Sequence, residues 1–293
     1  MLNFATLKYR RALADWGGPI ARIVSTPVSI YGRSLYQADA FLAPGLAPRK
    51  PQFKEEPRAD GTGAAESASV ARNMAVSEAL ERWAFHTESE GPNAARYGFN
   101  EDHTCNGMAA FPGVFKHQAQ KRAHLEALEQ LSVVAWWSGH IDASPVSSSL
   151  PGIETLRLHH PADFGEVVIV YRKSRSGHVS YGYAAGQTVP GATTRAVVEL
   201  ARNEFIITYH KICGRRPVED HLERRCLYFA GPEGHQEFLD RVAQGPTKQS
   251  PSWTPLFDGE IRGPWSRYAT VWRTALKMPT LDFLNPKLNF FYW

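Results

Sequence analysis

Cysteine is scarce. The 293-residue chain has three, Cys105, Cys213 and Cys226, and no C-x-x-C pair. A zinc ribbon or a redox dithiol is therefore not expected, and the odd, sparse count fits a reducing cytoplasm. Long apolar runs are missing too, so no membrane-spanning helix is expected. Lys8, Arg10 and Arg11 stand where a signal peptide would need its apolar stretch. Charge of one sign is also lacking: 33 Lys and Arg face 29 Asp and Glu, a net charge of +4. That is mild support for an anionic ligand and no footprint for nucleic acid.

Familiar site motifs are absent as well. There is no G-x-x-x-x-G-K-[ST] loop, no G-x-G-x-x-G and no G-x-S-x-G, which sets aside a P-loop, a kinase-type glycine loop and a hydrolase elbow. A di-iron bundle needs Glu-x-x-His on two helices. His86 comes too late after Glu81, and His124 precedes Glu126, so that spacing fails.

What is present is an ordinary globular composition, 43% hydrophobic and 21% charged, with fifteen Phe, eleven Tyr and eight Trp. The length allows a substantial core. A short helical pattern over Leu2–Ala14 precedes a strand-like "ARIVSTPVSIYG". Residues 42–63, rich in Pro, Gly and charge, read as an exposed loop. Three helices follow: about Ala64–Thr87, with Ala65, Ala68, Ala71, Ala75 and Ala79 on a narrow face; about Phe115–Val134; and about Ala192–Lys211. Strands are expected at 167–174, across "SGHVSYGYAAGQT" and at "RYATVWRTAL", with a short helix in 231–262. "GRRPVEDHLERR" at 214–225 reads as a solvated helix, Trp136-Trp137 as core, His159-His160 as a loop pair and the closing "LDFLNPKLNFFYW" as irregular.

Each of the three long helices follows a Gly-and-Ala segment: "GTGAAES", "NGMAAF" and "GYAAGQT". Each carries a glutamate well inside. Glu78 lies 15 residues after Gly63, Glu126 lies 19 after Gly107 and Glu199 lies 17 after Gly182. Such a repeat suggests stacked αβ units sharing one cleft, an α+β fold. On a helix, positions i, i+3 and i+4 share a face. Glu78, Glu81 and Arg82 therefore point one way, as do Glu126, Glu129 and Gln130, and as do Arg195 and Glu199 with Glu204 further round. A solvated face with ion pairs of ~0.3–0.5 kcal/mol is the plain reading of one such helix. Three together, if buried, need partners. Their carboxylates with Arg82 and Arg195 suit a polyphosphate carrying Mg²⁺.

These residues resemble the YcaO family, ATP-dependent enzymes acting on peptide backbone amides. Its motifs have the forms S-x3-E-x-x-E-R, S-x6-E-x3-Q and R-x3-E. "MAVSEALER" carries Glu78, Glu81 and Arg82 of the first, "AQKRAHLEALEQ" carries Glu126 and Gln130 of the second, and "RAVVE" carries Arg195 and Glu199 of the third. "CNGMAAF" is similar to the family's S-N-G-x-A-x-G segment at Asn106, Gly107 and Ala109. The resemblance covers about residues 55–215, with 216–293 completing one YcaO-like domain over 1–293. Met74 and Ala119 stand where the family has Ser, Cys105 and Phe111 flank the N-G, and Thr62 replaces the Lys of G-K-G. The P-x-P-x-P tail of many azoline-forming members is missing, and no fused leader-peptide-binding domain fits in this length.

The resemblance implies Mg²⁺ on Glu78, Glu81, Glu126 and Glu199, and ATP contacts from Arg82, Asn106, Gln130 and Arg195. It implies that a nucleophile adds to a backbone carbonyl of a precursor peptide, that ATP phosphorylates the oxyanion and that phosphate leaves. Mg²⁺ and Arg stabilise the developing charge. The product is an azoline, an amidine or a thioamide. A separate ThiF-like or TfuA-like partner is expected, a homodimer is compatible with the sequence, and no nucleic-acid or membrane partner is expected. Two alternatives stay open: a non-catalytic YcaO-like subunit that scaffolds a complex, and an unrelated αβ protein whose glutamates lie on the surface.

Overall fold

The computed structural model describes residues 5–47, 51–53, 56–57, 59–112, 116–148, 150–212, 218 and 220–293. The expected helix starts at Leu2 and Phe115, and the basic run at 214–217, lie outside them. In chain order the elements are α1 (Ala5–Arg10), β1 (Ile20–Ile30), β2 (Arg33–Leu42), β3 (Pro51–Phe53), β4 (Glu56–Pro57), β5 (Gly61–Ala65), α2 (Ala68–Glu88), β6 (Met108–Pro112) and α3 (Lys116–Trp137). They continue with β7 (Ala143–Val146), β8 (Glu154–Leu158), β9 (Glu166–Lys173), β10 (Val179–Gly186), α4 (Val189–Ile212), α5 (His221–Ala230), α6 (Pro232–Ala243), β11 (Pro255–Ile261) and β12 (Ala269–Leu276). The fold is α+β. Among the described residues, no helix is long and apolar enough to cross a membrane.

The chain divides into two compact units, Met1–Ala127 with Pro255–Ala275, and Leu128–Thr254 with Leu276–Trp293. In the first, β1, β2 and β5 form one sheet, and β11, β12 and β6 another. The β1–β2 hairpin turns at Tyr31 and Gly32, both with positive φ (47° and 80°), as a two-residue turn between right-twisted strands requires. The "GTGAA" segment, expected as the end of a loop and the start of a helix, is strand β5. It pairs antiparallel with β2 from Gly61↔Ala40 to Ala65↔Tyr36. Its composition is poor in strand formers, and the pairing with β2 supplies what propensity does not.

The second unit carries the antiparallel sheet β10–β9–β8–β7. Every residue of β10 is buried. Its core is aromatic: Trp136, Tyr181, Phe229, Phe238 and Phe291 are almost wholly inaccessible. The closing segment, read from sequence as irregular, is part of that core. Phe291 packs on Trp136 and Trp137, and Trp293 stacks on Phe229 with ring centres 5.7 Å apart. Full burial of such a side chain contributes about 1.5–3 kcal/mol.

Helix α5 also departs from expectation. Only one side of it is wet, because Arg225, Cys226, Phe229 and Ala230 are buried. Arg225 donates to the carbonyls of Phe283, Asn285, Leu288 and Tyr292, so it pins the closing segment in place.

One packing device recurs inside both units. A Cβ on Gly61 would lie 2.2 Å from Ala75 O and 2.3 Å from Ala79 N; a Cβ on Gly182 would lie 2.2 Å from Ala196 O and 2.4 Å from Leu200 N. In each unit a long helix sits directly on a strand glycine, and its contact residues follow that glycine by the same intervals. The sequence repeat is therefore registered on Gly61 rather than Gly63, and Glu78 and Glu199 fall at equivalent positions. Gly107 does something else. Its φ is +68°, and a Cβ there would meet Thr274 O at 2.2 Å, so it serves a tight turn against β12.

Candidate functional site

In the first unit α2 presents Glu78, Glu81 and Arg82 together, as their spacing requires. Glu78 is fixed by β5: the backbone N–H and the hydroxyl of Thr62 both donate to its Oε2 at 3.0 Å. Its Oε1 lies 3.5 Å from Arg82 Nη2. Glu81 is only 9% exposed, and its carboxylate makes no hydrogen bond to a described residue. Burial, then the nearby Glu126, Cys105 and Glu78, hold its carboxyl well above the ordinary carboxylate range, and Arg82 opposes them. Arg82 is in turn held more strongly protonated by Cys105 and by the three glutamates, against the effect of burial. Its Nε is buried without a hydrogen-bond partner among the described residues. Glu126, on α3, lies 3.4 Å from Arg122. Glu78, Glu126 and Cys105 thus gather around Glu81 and Arg82.

The loop that carries Cys105 and Asn106 is anchored by Arg273 of β12. This buried guanidinium donates to the carbonyls of Tyr97, Asp102, Thr104 and Asn106 and lies 3.9 Å from the centre of the Phe99 ring. Asn106 turns back on Thr104, its side-chain amide donating to that hydroxyl at 2.8 Å. Met74 is 45% exposed and Ala119 fully buried, so neither motif position offers a hydroxyl. Met74 packs beside the glycine of β5, within 2.7 Å of where a Gly63 Cβ would stand.

The second unit holds the remaining predicted residues. Ala185 of β10 is gripped from both sides: its N–H donates to Glu129 Oε2 at 2.8 Å, and its carbonyl accepts from Arg195 Nη1 at 2.7 Å. Gln130 is buried. Glu199 pairs with Arg202 at 2.8 Å and is about half exposed. Tyr183 was not singled out from sequence. Its hydroxyl donates to the carbonyl of Trp293, and burial, with Glu129 and Glu199 nearby, pushes its ionisation upward.

Among the described residues, no three His, Cys, Asp or Glu side chains form a ready-made metal cage. The acidic group around Glu81 still fits Mg²⁺, which is commonly held by one or two carboxylates plus phosphate oxygens rather than by an all-protein shell. A buried carboxylate with no hydrogen bond to a described residue, beside a buried guanidinium nitrogen, offers an acceptor and a donor to an incoming cation and anion. Arg273 and Tyr183 escaped the sequence reading, and Thr62 was noticed there only for its place in the G-T-G segment ahead of the helix, not as a partner of Glu78. No family model matches this chain, and no curated protein matches it.

Proposed function

We propose that the chain is a YcaO-like, ATP-dependent enzyme that modifies a backbone amide of a ribosomally made precursor peptide, forming an azoline by cyclodehydration in the cytoplasm. The observation that carries this reading is the carboxylate of Glu81, buried among Glu78, Glu126 and Arg82 and without a hydrogen bond to a described residue. A charge so placed costs several kcal/mol unless something compensates it, and Mg²⁺ bridged to phosphate would do so. Glu78, aimed by Thr62, would share that cation with Glu81 and Glu126. Arg82 would take phosphate oxygens through its unused Nε. Asn106 would contact the nucleotide; for Arg195, which is oriented by Ala185, Gln130 and Glu199, all in the second unit, the ATP and cation roles rest on the resemblance alone. MgATP, when bound, supplies the phosphoryl group that makes an amide oxygen a leaving group. A ThiF-like or TfuA-like partner would deliver the peptide.

The test is mass spectrometry of a precursor peptide co-expressed with the full chain. Loss of one water per modified residue supports the azoline product. A gain matching replacement of oxygen by sulfur would assign thioamide formation instead, and an unmodified peptide with no ATP consumed would contradict the enzyme reading. A second reading, a non-catalytic scaffolding subunit, is favoured by exposed Met74 and buried Ala119 in place of hydroxyl residues. ATP consumption by the chain with the peptide, with and without the partner, separates the two.

A further inference from the structure

Three arginines, Arg225, Arg241 and Arg273, are buried and gather backbone carbonyls. Arg273 has the carboxylate of Asp102 beside it and Arg241 that of Asp142. Arg225 differs: burial pushes its guanidinium downward, Tyr183 opposes that, and Arg224 adds to it, with no carboxylate among these influences. Among the described residues, neither Arg224 nor Arg225 forms an ion pair. The acids close by in sequence are engaged elsewhere. Asp220 caps α5 by accepting from Leu222 N–H at 2.8 Å, and Glu223 lies 3.4 Å from His210.

This guanidinium forms part of the wall of an open cavity of 420 Å³ within the second unit, whose lining is His221, Arg224, Arg225 and the segment Pro286–Asn289. Among the described residues, no acidic side chain lines it. Arg225 spends four N–H donors on carbonyls and has one left of five. Arg224 spends one, on Pro286 O at 2.8 Å. Lys287 is exposed at the rim. Three cationic side chains, buried Arg225 with exposed Arg224 and Lys287, meet at this cavity, and no acid among the described residues opposes them there, so an anion entering it meets only positive charge.

We propose that this cavity binds a phosphate-bearing small molecule, held by Arg224, Arg225 and Lys287 with His221 and Asn289 as further hydrogen-bond partners. Two guanidinium groups and an ammonium match the several oxygens of a phosphate better than the two of a carboxylate. The volume admits more than one phosphate group. The site shares no residue with those assigned to MgATP and does not depend on that assignment.

The experiment is lysine acetylation footprinting of the full chain in Mg²⁺-free millimolar pyrophosphate, against chloride and citrate at equal ionic strength. Pyrophosphate is expected to slow acetylation of Lys287 severalfold, leaving exposed Lys8 and Lys248 unchanged. Arg224→Gln, a change at an exposed position, is expected to weaken that protection by about tenfold or more. Calorimetry of pyrophosphate binding to Lys287→Gln should show the same loss. Unchanged Lys287 reactivity, equal protection by chloride or citrate, or protection that survives Arg224→Gln would each overturn the proposal.

Discussion

Replacing Glu81 by glutamine keeps its shape and removes its charge. In this surrounding the charge is a liability: the carboxylate is 9% exposed, makes no hydrogen bond to a described residue, and has Glu78 and Glu126 near it with Arg82 as its single opposing neighbour. A buried group without a partner costs roughly 1–3 kcal/mol, and more when charged. At about 2–4 °C per kcal/mol for chains of roughly 150–250 residues, Glu81→Gln should raise the melting temperature by roughly 2–10 °C in weakly alkaline, metal-free buffer. The sign with pH follows from the upward shift. The folded chain holds the Glu81 proton more tightly than the unfolded chain does. That stabilisation is complete below the ordinary glutamate value of ~4.3 and is lost as pH rises through the raised folded value. The advantage of the variant is therefore small near pH 5 and larger near pH 8.5. Mg²⁺ with ATP should stabilise the wild type and not the variant, since a ligand at about 100 times its Kd adds ~2.7 kcal/mol. Thermal unfolding by circular dichroism at both pH values reads all of this. A variant that melts below the wild type at pH 8.5 would refute the reasoning, because the carboxylate would then have a stabilising partner.

Other outcomes follow from the same packing. Gly61→Ala and Gly182→Ala each force a Cβ to within 2.2 Å of a helix carbonyl and should cost about 1–3 kcal/mol or more, read as lowered melting temperatures; Gly245→Ala, with open space around it and no positive φ, is the control. Arg225→Met removes four charged hydrogen bonds to the closing segment and should expose residues 283–293 to protease at temperatures where the wild type resists. Cys226, its thiol pushed up to about 12 by burial, should stay unalkylated by iodoacetamide at pH 8 in the folded chain and react once unfolded.

The three long helices were legible because each combines a continuous periodic stretch with clear flanks. The expected ends at Thr87, Val134 and Lys211 lie within a few residues of the observed Glu88, Trp137 and Ile212. The grouping of Glu78, Glu81 and Arg82 was equally legible, since it follows from helix geometry alone. What escaped depends on contacts distant in sequence. Gly61–Ala65 becomes a strand because β2 pairs with it and α2 rests on it, and neither neighbour is visible in "GTGAA". Arg225 reads as a charge on a solvated helix and Arg273 as one more strand residue, because nothing local announces that carbonyls about 60 and 170 residues away in sequence converge on them. Thr62 shows both sides: its position was noticed, but its two hydrogen bonds to Glu78 needed the strand to be in place.

Calorimetric titration of MgATP into the wild type, Glu78→Ala and Glu126→Ala tests the central claim most directly. Measurable binding to the wild type and none to either variant is the predicted result; an affinity unchanged in both would contradict the assignment of these glutamates to the site.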